Sequence, residues 1–471
     1  MMAGTINSLG IGSGVLTADI IDKLKNRDTS LIITPIDNKI VLQKQKGQAL
    51  SLLNSLLSSF KSSVSSLSND ALYQGRTTAG NTSAVSVSAA AGVNVQSFSI
   101  SNTKLALNDI HQSGTFSSTT APIASGGSGT MTLTSGGLSF GINYTNTMTL
   151  EELKDAINLQ AGNKIQASVL QVGATDYRLV LRSKETGLDQ KIVTTDTGGF
   201  LDQKLITYDA VTNPTGTMEE VQAAEDASFK YNGITLTRSS NVITDITPGV
   251  TINLLQDSTS ITSHISITQD VDTIAAEVST LVQSYNTLMS QLNDMTTSNA
   301  QTGAVGIFNG DNSIKSISRE INQLITSTNS SGLSLPNFGI DLKQNGTMSF
   351  NSATFLSKFN SDPSASEAFL SGKTTIGNNG NPKTVDGLFT TINTLMEQYT
   401  GTNGRISTLT TGSANELKSL SSNKTRSQAL LDARYASMSA RFAQYDSMIS
   451  KLNSQFSSLQ QQISMATKSN N

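Results

Sequence analysis

Cysteine and tryptophan are absent from the 471 residues of this chain, and histidine occurs only twice. The lack of cysteine excludes disulfide staples and thiolate metal sites and leaves either redox compartment open. With His111 and His264 alone, nucleophilic triads and zinc centres have almost no raw material. Catalytic, cofactor-binding and metal-ligating residues are therefore all read as none, and the chain as no enzyme. Charge is also scarce: charged residues make up 14% and the formal net charge is −3, against roughly 25% charged in an average soluble domain. No global field draws the chain to nucleic acid or to an anionic membrane surface. No stretch approaches the ~20 consecutive apolar residues of a membrane helix, so membrane insertion is not expected. The opening MMAGTINSLGIGSGVLTADI lacks a basic start, a long apolar run and a small-residue cleavage site. It does not read as a cleaved secretory signal.

The few groups that could carry chemistry have plainer readings. His264 alternates with Ile261, Ser263, Ile265 and Ile267 and is expected on the solvent face of a strand. His111 lies at the mouth of a predicted loop and is read the same way. Glu151 and Glu152 complement a helix dipole, whereas Glu219 and Glu220 fall in a polar linker. Gly10, Gly12 and Gly14 follow no strand and precede no Gly-Lys-Ser/Thr, so they do not form a phosphate loop.

What the chain does have is a change of period. From about Ser30 to Leu72 the pattern is helical, with Leu50, Leu53, Leu57, Phe60, Val64 and Leu67 spaced three and four apart, the seam of a coiled coil or bundle helix. From about Thr77 to Thr268 the period drops to two. Asn232-Gly233 between Phe229–Tyr231 and Ile234–Leu236 predicts a two-residue hairpin, because both turn positions require positive φ. Pro248-Gly249 marks another turn. Thr149 and Glu152 form a capping box ahead of Leu153 and Ile157. Ser113–Gly137, with Gly126-Gly127-Ser128-Gly129, reads as loop and edge strand of an inserted, solvent-facing subdomain.

The helical period returns with Val271, Ile274, Val278, Leu281, Tyr285, Leu288, Leu292 and Met295, and again with Ile314, Ile317, Ile321 and Leu324. A hairpin is expected at Asn345-Gly346. The seam of Leu50–Leu67 is expected to pack on that of Val271–Met295 within one chain. The final seam comprises Leu431, Tyr435, Met438, Phe442, Tyr445, Ile449, Leu452, Phe456, Leu459 and Ile463. So narrow a stripe needs a partner helix, and contact with the N-terminal helix and neighbouring copies is expected.

An ordered set of short motifs resembles one family. Gly10-Ile11-Gly12-Ser13-Gly14 before an amphipathic helix is similar to the start of the flagellar hook-associated protein 2 family, the filament caps. Tyr231-Asn232-Gly233-Ile234-Thr235 through Arg238-Ser239-Ser240-Asn241, Ile246 and Pro248-Gly249-Val250-Thr251 resembles its middle motif. Gly339-Ile340-Asp341-Leu342 with Asn345-Gly346-Thr347-Met348-Ser349-Phe350 resembles another. Arg441-Phe442, Tyr445-Asp446, Met448 and Leu452-Asn453 look like its closing coiled coil. Over about Ser113–Met218 only the helix around Leu150–Asn158 is recognisable.

The resemblance implies an α+β multidomain chain. Both termini (1–40 and 425–471) would form a coiled-coil leg. A helical bundle (41–76 and 271–424) continues it, a β-rich head domain follows (77–110 and 225–270), and a second is inserted in that (111–224). It implies a ring-like homo-oligomer, most often a pentamer, secreted through the flagellar type III export apparatus with its chaperone. At the filament tip the ring would retain exported flagellin and promote its folding and polymerisation. The terminal helices are expected to be loose in the monomer and ordered by assembly. Two other readings stand beside it: an adhesin binding host glycan or mucin through Ser113–Gly137, and another axial flagellar subunit, a junction protein or flagellin.

Overall fold

The computed structural model of the protein describes residues 17–299, 303–329, 331–376 and 382–468. Among these the elements run α1 (Ala18–Ser68), α2 (Asp70–Tyr73), β1 (Arg76–Ala79), β2 (Val85–Ala89), β3 (Gln96–Lys104), β4 (Ile110–Gln112), β5 (Gly129–Ser135), β6 (Leu138–Tyr144), α3 (Leu150–Gln160), β7 (Ile165–Gly173), β8 (Asp176–Ser183), β9 (Val193–Asp196), β10 (Glu219–Gln222), β11 (Ala227–Tyr231), β12 (Ile234–Arg238), β13 (Val242–Ile243), β14 (Val250–Leu254) and β15 (Ser258–Gln269). They continue with α4 (Val271–Thr296), β16 (Ser298–Asn299), β17 (Ala304–Val305), α5 (Asn312–Ile325), β18 (Ile340–Leu342), β19 (Met348–Phe350), α6 (Ser352–Ser361), α7 (Pro363–Leu370), β20 (Gly372–Ile376), β21 (Pro382–Asp386), α8 (Leu388–Thr400) and α9 (Arg405–Lys468). Contacts divide the chain into two compact units, Met1–Asp70 with Val271–Asn471, and Ala71–Asp270. The α+β class expected from the change of period is the observed one.

In the helical unit the 3-4 seams turn inward. Leu50, Leu53, Leu57, Phe60, Val64 and Leu67 of α1 are all buried, as are Val271 to Met295 at every seam position of α4. The two helices pack on each other within the chain. Phe60 and Tyr285 bring their ring centroids to 6.2 Å, and Ser284 Oγ donates to Ser63 Oγ. Tyr285 donates its hydroxyl to Asn322 Oδ1 at 2.7 Å, and burial pushes its pKa up to about 12. The hairpin at Asn345-Gly346 joins β18 to β19. Helix α1 begins at Ala18, well before the expected Ser30, and runs through Pro35. That proline cannot donate to the carbonyl of Leu31. Both residues are exposed, so the carbonyl faces water and the helix continues.

In the β unit two cores stack along the chain path. The first lies between the sheet β1-β15-β3-β11-β12 and the sheet β13-β14-β2. The hairpin there is the one the dipeptide predicts: Tyr231 pairs with Ile234, and Asn232 and Gly233 have φ of 48° and 83°. His264 is exposed on β15. The chain leaves this lobe after β3, returns before β11, and closes the neck by pairing Leu107 with Glu225. The inserted lobe packs α3 with the sheets β10-β4-β8-β7 and β6-β5-β9 around a second core. Thr149 and Glu152 make the reciprocal capping box that starts α3.

Three expectations are corrected in this lobe. Residues 113–128 are loop, as expected, but they are packed against the core through Phe116 and Ile123. The strand that follows is no edge: β5 is the middle strand of its sheet, paired with β6 and β9, with Met131 and Leu133 buried. Gly129 is there for space, since a Cβ would come within 2.6 Å of Tyr144 Oη and 2.7 Å of Gly198 Cα. Glu219 and Glu220 do not lie in a linker but in strand β10. His111 is not solvent-facing: it is 3% exposed and its Nε2 lies 2.9 Å from Asp109 Oδ2. All three depend on strand pairing between distant segments, β5 with β9 and β4 with β8 and β10, which local composition does not display.

Candidate assembly interface on the terminal helix pair

Helix α9 carries 64 residues, about 95 Å of helix at 1.5 Å per residue. Most of its surface is polar, so it holds its place through a narrow apolar line and through α1, against which it packs. The two helices run antiparallel. Gln43 Nε2 donates to Ser413 Oγ at 2.9 Å, Lys424 pairs with Asp37 at 2.6 Å, and Lys25 pairs with Asp432 at 2.8 Å. Arg434 reaches Asp28 at 3.2 Å. Stepping towards the start of α1 thus steps towards the end of α9.

The ion pairs are largely exposed and each contributes little, typically under about 1 kcal/mol; their value is register. The apolar part of the contact is Ile21 and Ile33 of α1 with Leu431 and Tyr435 of α9, all at most 6% exposed. Met438 and Phe442 pack against this cluster half-buried. Tyr435 also donates its hydroxyl to Asp28 Oδ2 at 2.8 Å. Burial first, and Asp28 second, raise its pKa above the usual phenol value.

Past Phe442 the stripe opens to solvent. Ile449 is half-buried, whereas Tyr445, Leu452, Phe456, Leu459 and Ile463 are between 55% and 71% exposed. So of the ten seam residues read from the sequence, the structure brings Leu431, Tyr435, Met438 and Phe442 onto α1 and leaves five exposed. Covering a Leu, Ile or Phe of this kind is worth roughly 1.5–3 kcal/mol each. Such a line leaves apolar area open to a partner.

Sequence reading missed Ile21 and Asp28 because it began the helical pattern at Ser30, and missed Ile33 because it took the seam of that helix only from Leu50 onward. The signal was present: Asp19 and Lys23 stand four apart and pair at 2.7 Å, and Ile21 and Leu24 open a helical spacing. The Gly10–Gly14 motif lies outside the described residues.

The chain matches two family models, Flagellar hook-associated protein 2 N-terminus over residues 13–109 and Flagellar hook-associated protein 2 C-terminus over residues 224–454. It is 31% identical over 422 residues to Flagellar hook-associated protein 2 of Campylobacter jejuni, covering 79% of this chain and 65% of that relative. It thus spans slightly less than two thirds of that relative's length. With Flagellar hook-associated protein 2 of Escherichia coli strain K12 it shares 28% identity over 446 residues, 92% of each chain. Among solved structures, the D1-D2-D3 domains of the flagellar cap protein FliD from Escherichia coli match 78% of this chain and 99% of theirs, at a TM-score of 0.57 and 27% identity.

Proposed function

This chain belongs to the flagellar hook-associated protein 2 family, and from that membership we propose that it caps the distal tip of the flagellar filament outside the cell. The role is structural, with no catalytic step. The observation that carries it is the seam of α9, covered by α1 up to Phe442 and exposed from Leu452 onward. In the antiparallel register of α1 and α9, the exposed stretch extends past the first described turn of α1. It is to be covered by terminal helices, from this chain and from neighbouring copies, when a ring-like homo-oligomer assembles.

Five copies is the number the family resemblance implies. The terminal helices, with the helical bundle beyond them, hold the ring to the tip. The β-rich lobes face exported flagellin, retain it and promote its folding and insertion. Attachment through a thin stripe allows release and re-formation as each subunit is added. Delivery is through the flagellar type III export apparatus. The adhesin, junction-protein and flagellin readings are not favoured by family membership.

The double substitution Leu452→Asp and Phe456→Asp tests the seam. Both positions are exposed in the single chain, so the variant is expected to fold, with the far-ultraviolet circular dichroism of the parent. It is expected to lose the oligomer seen by light scattering and in particle images at high concentration. Rings that form as in the parent would falsify the seam assignment.

A further inference from the structure

The inserted lobe holds a group of side chains that attachment through the helices does not use. Asp109 and His111 stand two apart at the start of β4 and so share one face. Glu220 of β10 is the direct ladder partner of His111. These residues come from opposite ends of the inserted segment, and one ligand-type atom of each lies within 4.8 Å of the other two.

Asp109 is wholly buried. Its carboxylate accepts from the backbone N–H of Ile192 and of Ala224 and faces His111 Nε2 at 2.9 Å. An acceptor-only group with three such neighbours leaves the shared hydrogen on Nε2. In the neutral form of the ring the lone pair is then on Nδ1. That atom is buried, in a residue 3% exposed, and has no hydrogen-bond partner among the described residues. An imidazole held by a carboxylate through one nitrogen, with the other nitrogen open, is how histidine is prepared to ligate a metal. Glu220 supplies a second negative charge, and its exposure gives ions a way in.

We propose that Asp109, His111 and Glu220 form a binding site for a divalent transition cation of the zinc class at the neck of the inserted lobe. His111 and Glu220 contribute ligand atoms, Asp109 holds the ring and tautomer, and water completes the shell. One imidazole with carboxylates favours zinc over magnesium or calcium, which prefer all-oxygen shells. Binding ties β10, where the chain leaves the lobe, to β4, where it enters. The ion therefore acts as a clasp on the lobe.

The untagged full chain, stripped with chelator, is titrated with zinc chloride in a calorimeter. One saturable site per chain is expected, unaffected by excess magnesium. Glu220→Gln, at an exposed position, is expected to raise Kd at least tenfold, in the range for losing a metal-site carboxylate partner. His264→Asn is expected to leave Kd unchanged. The chain has two histidines and no cysteine, so nitrogen-15 imidazole spectra resolve the site directly. Zinc is expected to move the Nδ1 resonance of His111 and not those of His264. His111→Asn should abolish the site, and if it unfolds the lobe, the Glu220→Gln affinity and the imidazole shifts decide alone. Absence of saturable binding at millimolar zinc, an unchanged Kd in Glu220→Gln, displacement by magnesium, or a response at His264 instead of His111 each overturns the site.

Discussion

Tyr144 shows how much a single polar contact in the inserted lobe depends on close backbone approach. Its hydroxyl donates to the Asp196 carboxylate at 2.7 Å, and that carboxylate also accepts from the N–H of Gly198 and Leu201. Gly129 and Gly198 leave the room the phenol needs. Burial, then the bond to Asp196, pushes the Tyr144 pKa up to about 12 from an ordinary 10. The folded value is raised, so the protonated phenol stabilises the fold fully below pH 10. That contribution is lost as pH rises through about 12. Alkaline titration of the β unit by near-ultraviolet circular dichroism is expected to show this loss. In Tyr144→Phe the segment of the loss between pH 10 and 12 is expected to shrink; an identical alkaline profile would rule the phenol out as its source.

At the scale of the element, the two kinds of helical seam predict opposite responses to the same truncation. Leu53 in α1 is 0% exposed, so Leu53→Ala leaves a cavity and is expected to cost about 2 to 5 kcal/mol. Leu459 in α9 is 57% exposed, so Leu459→Ala is expected to change monomer stability by less than about 0.5 kcal/mol. Denaturant unfolding of the two variants at low protein concentration measures both. A large monomer effect at Leu459 would place the last turns of α9 in an internal core. Spacing alone does not separate these cases, because both seams repeat at three and four. What separates them is whether a second helix of the same chain reaches the stripe. For α4 it does, and for α9 it does so, among the described residues, only as far as Phe442.

For the whole molecule, the prediction concerns filaments. A strain lacking this chain is expected to export flagellin without polymerising it, giving soluble flagellin in the medium and few or no filaments by electron microscopy. Restoring the parent sequence is expected to recover filaments, and restoring the Leu452→Asp and Phe456→Asp chain is not. Normal filaments in the deletion strain would remove the cap role.

Local rules made a good part of this chain legible in advance. Asn232-Gly233 requires two left-handed positions, Thr149 and Glu152 close on each other within one turn, and a 3-4 repeat defines a helix face; each depends only on neighbours along the backbone. The α+β class and the family resemblance follow from such signals in order. The inserted lobe was least legible. Whether a Ser, Thr and Gly segment becomes a loop or the central strand β5 depends on what the rest of the chain lays beside it. The same holds for His111, which lies in β4 between strands β8 and β10 drawn from distant positions, beside an Asp109 carboxylate that Ile192 and Ala224 also hold. Secondary structure answers to short-range sterics and hydrogen bonding, which a sequence states openly. Burial answers to long-range contacts, and these exist only once the chain has closed on itself.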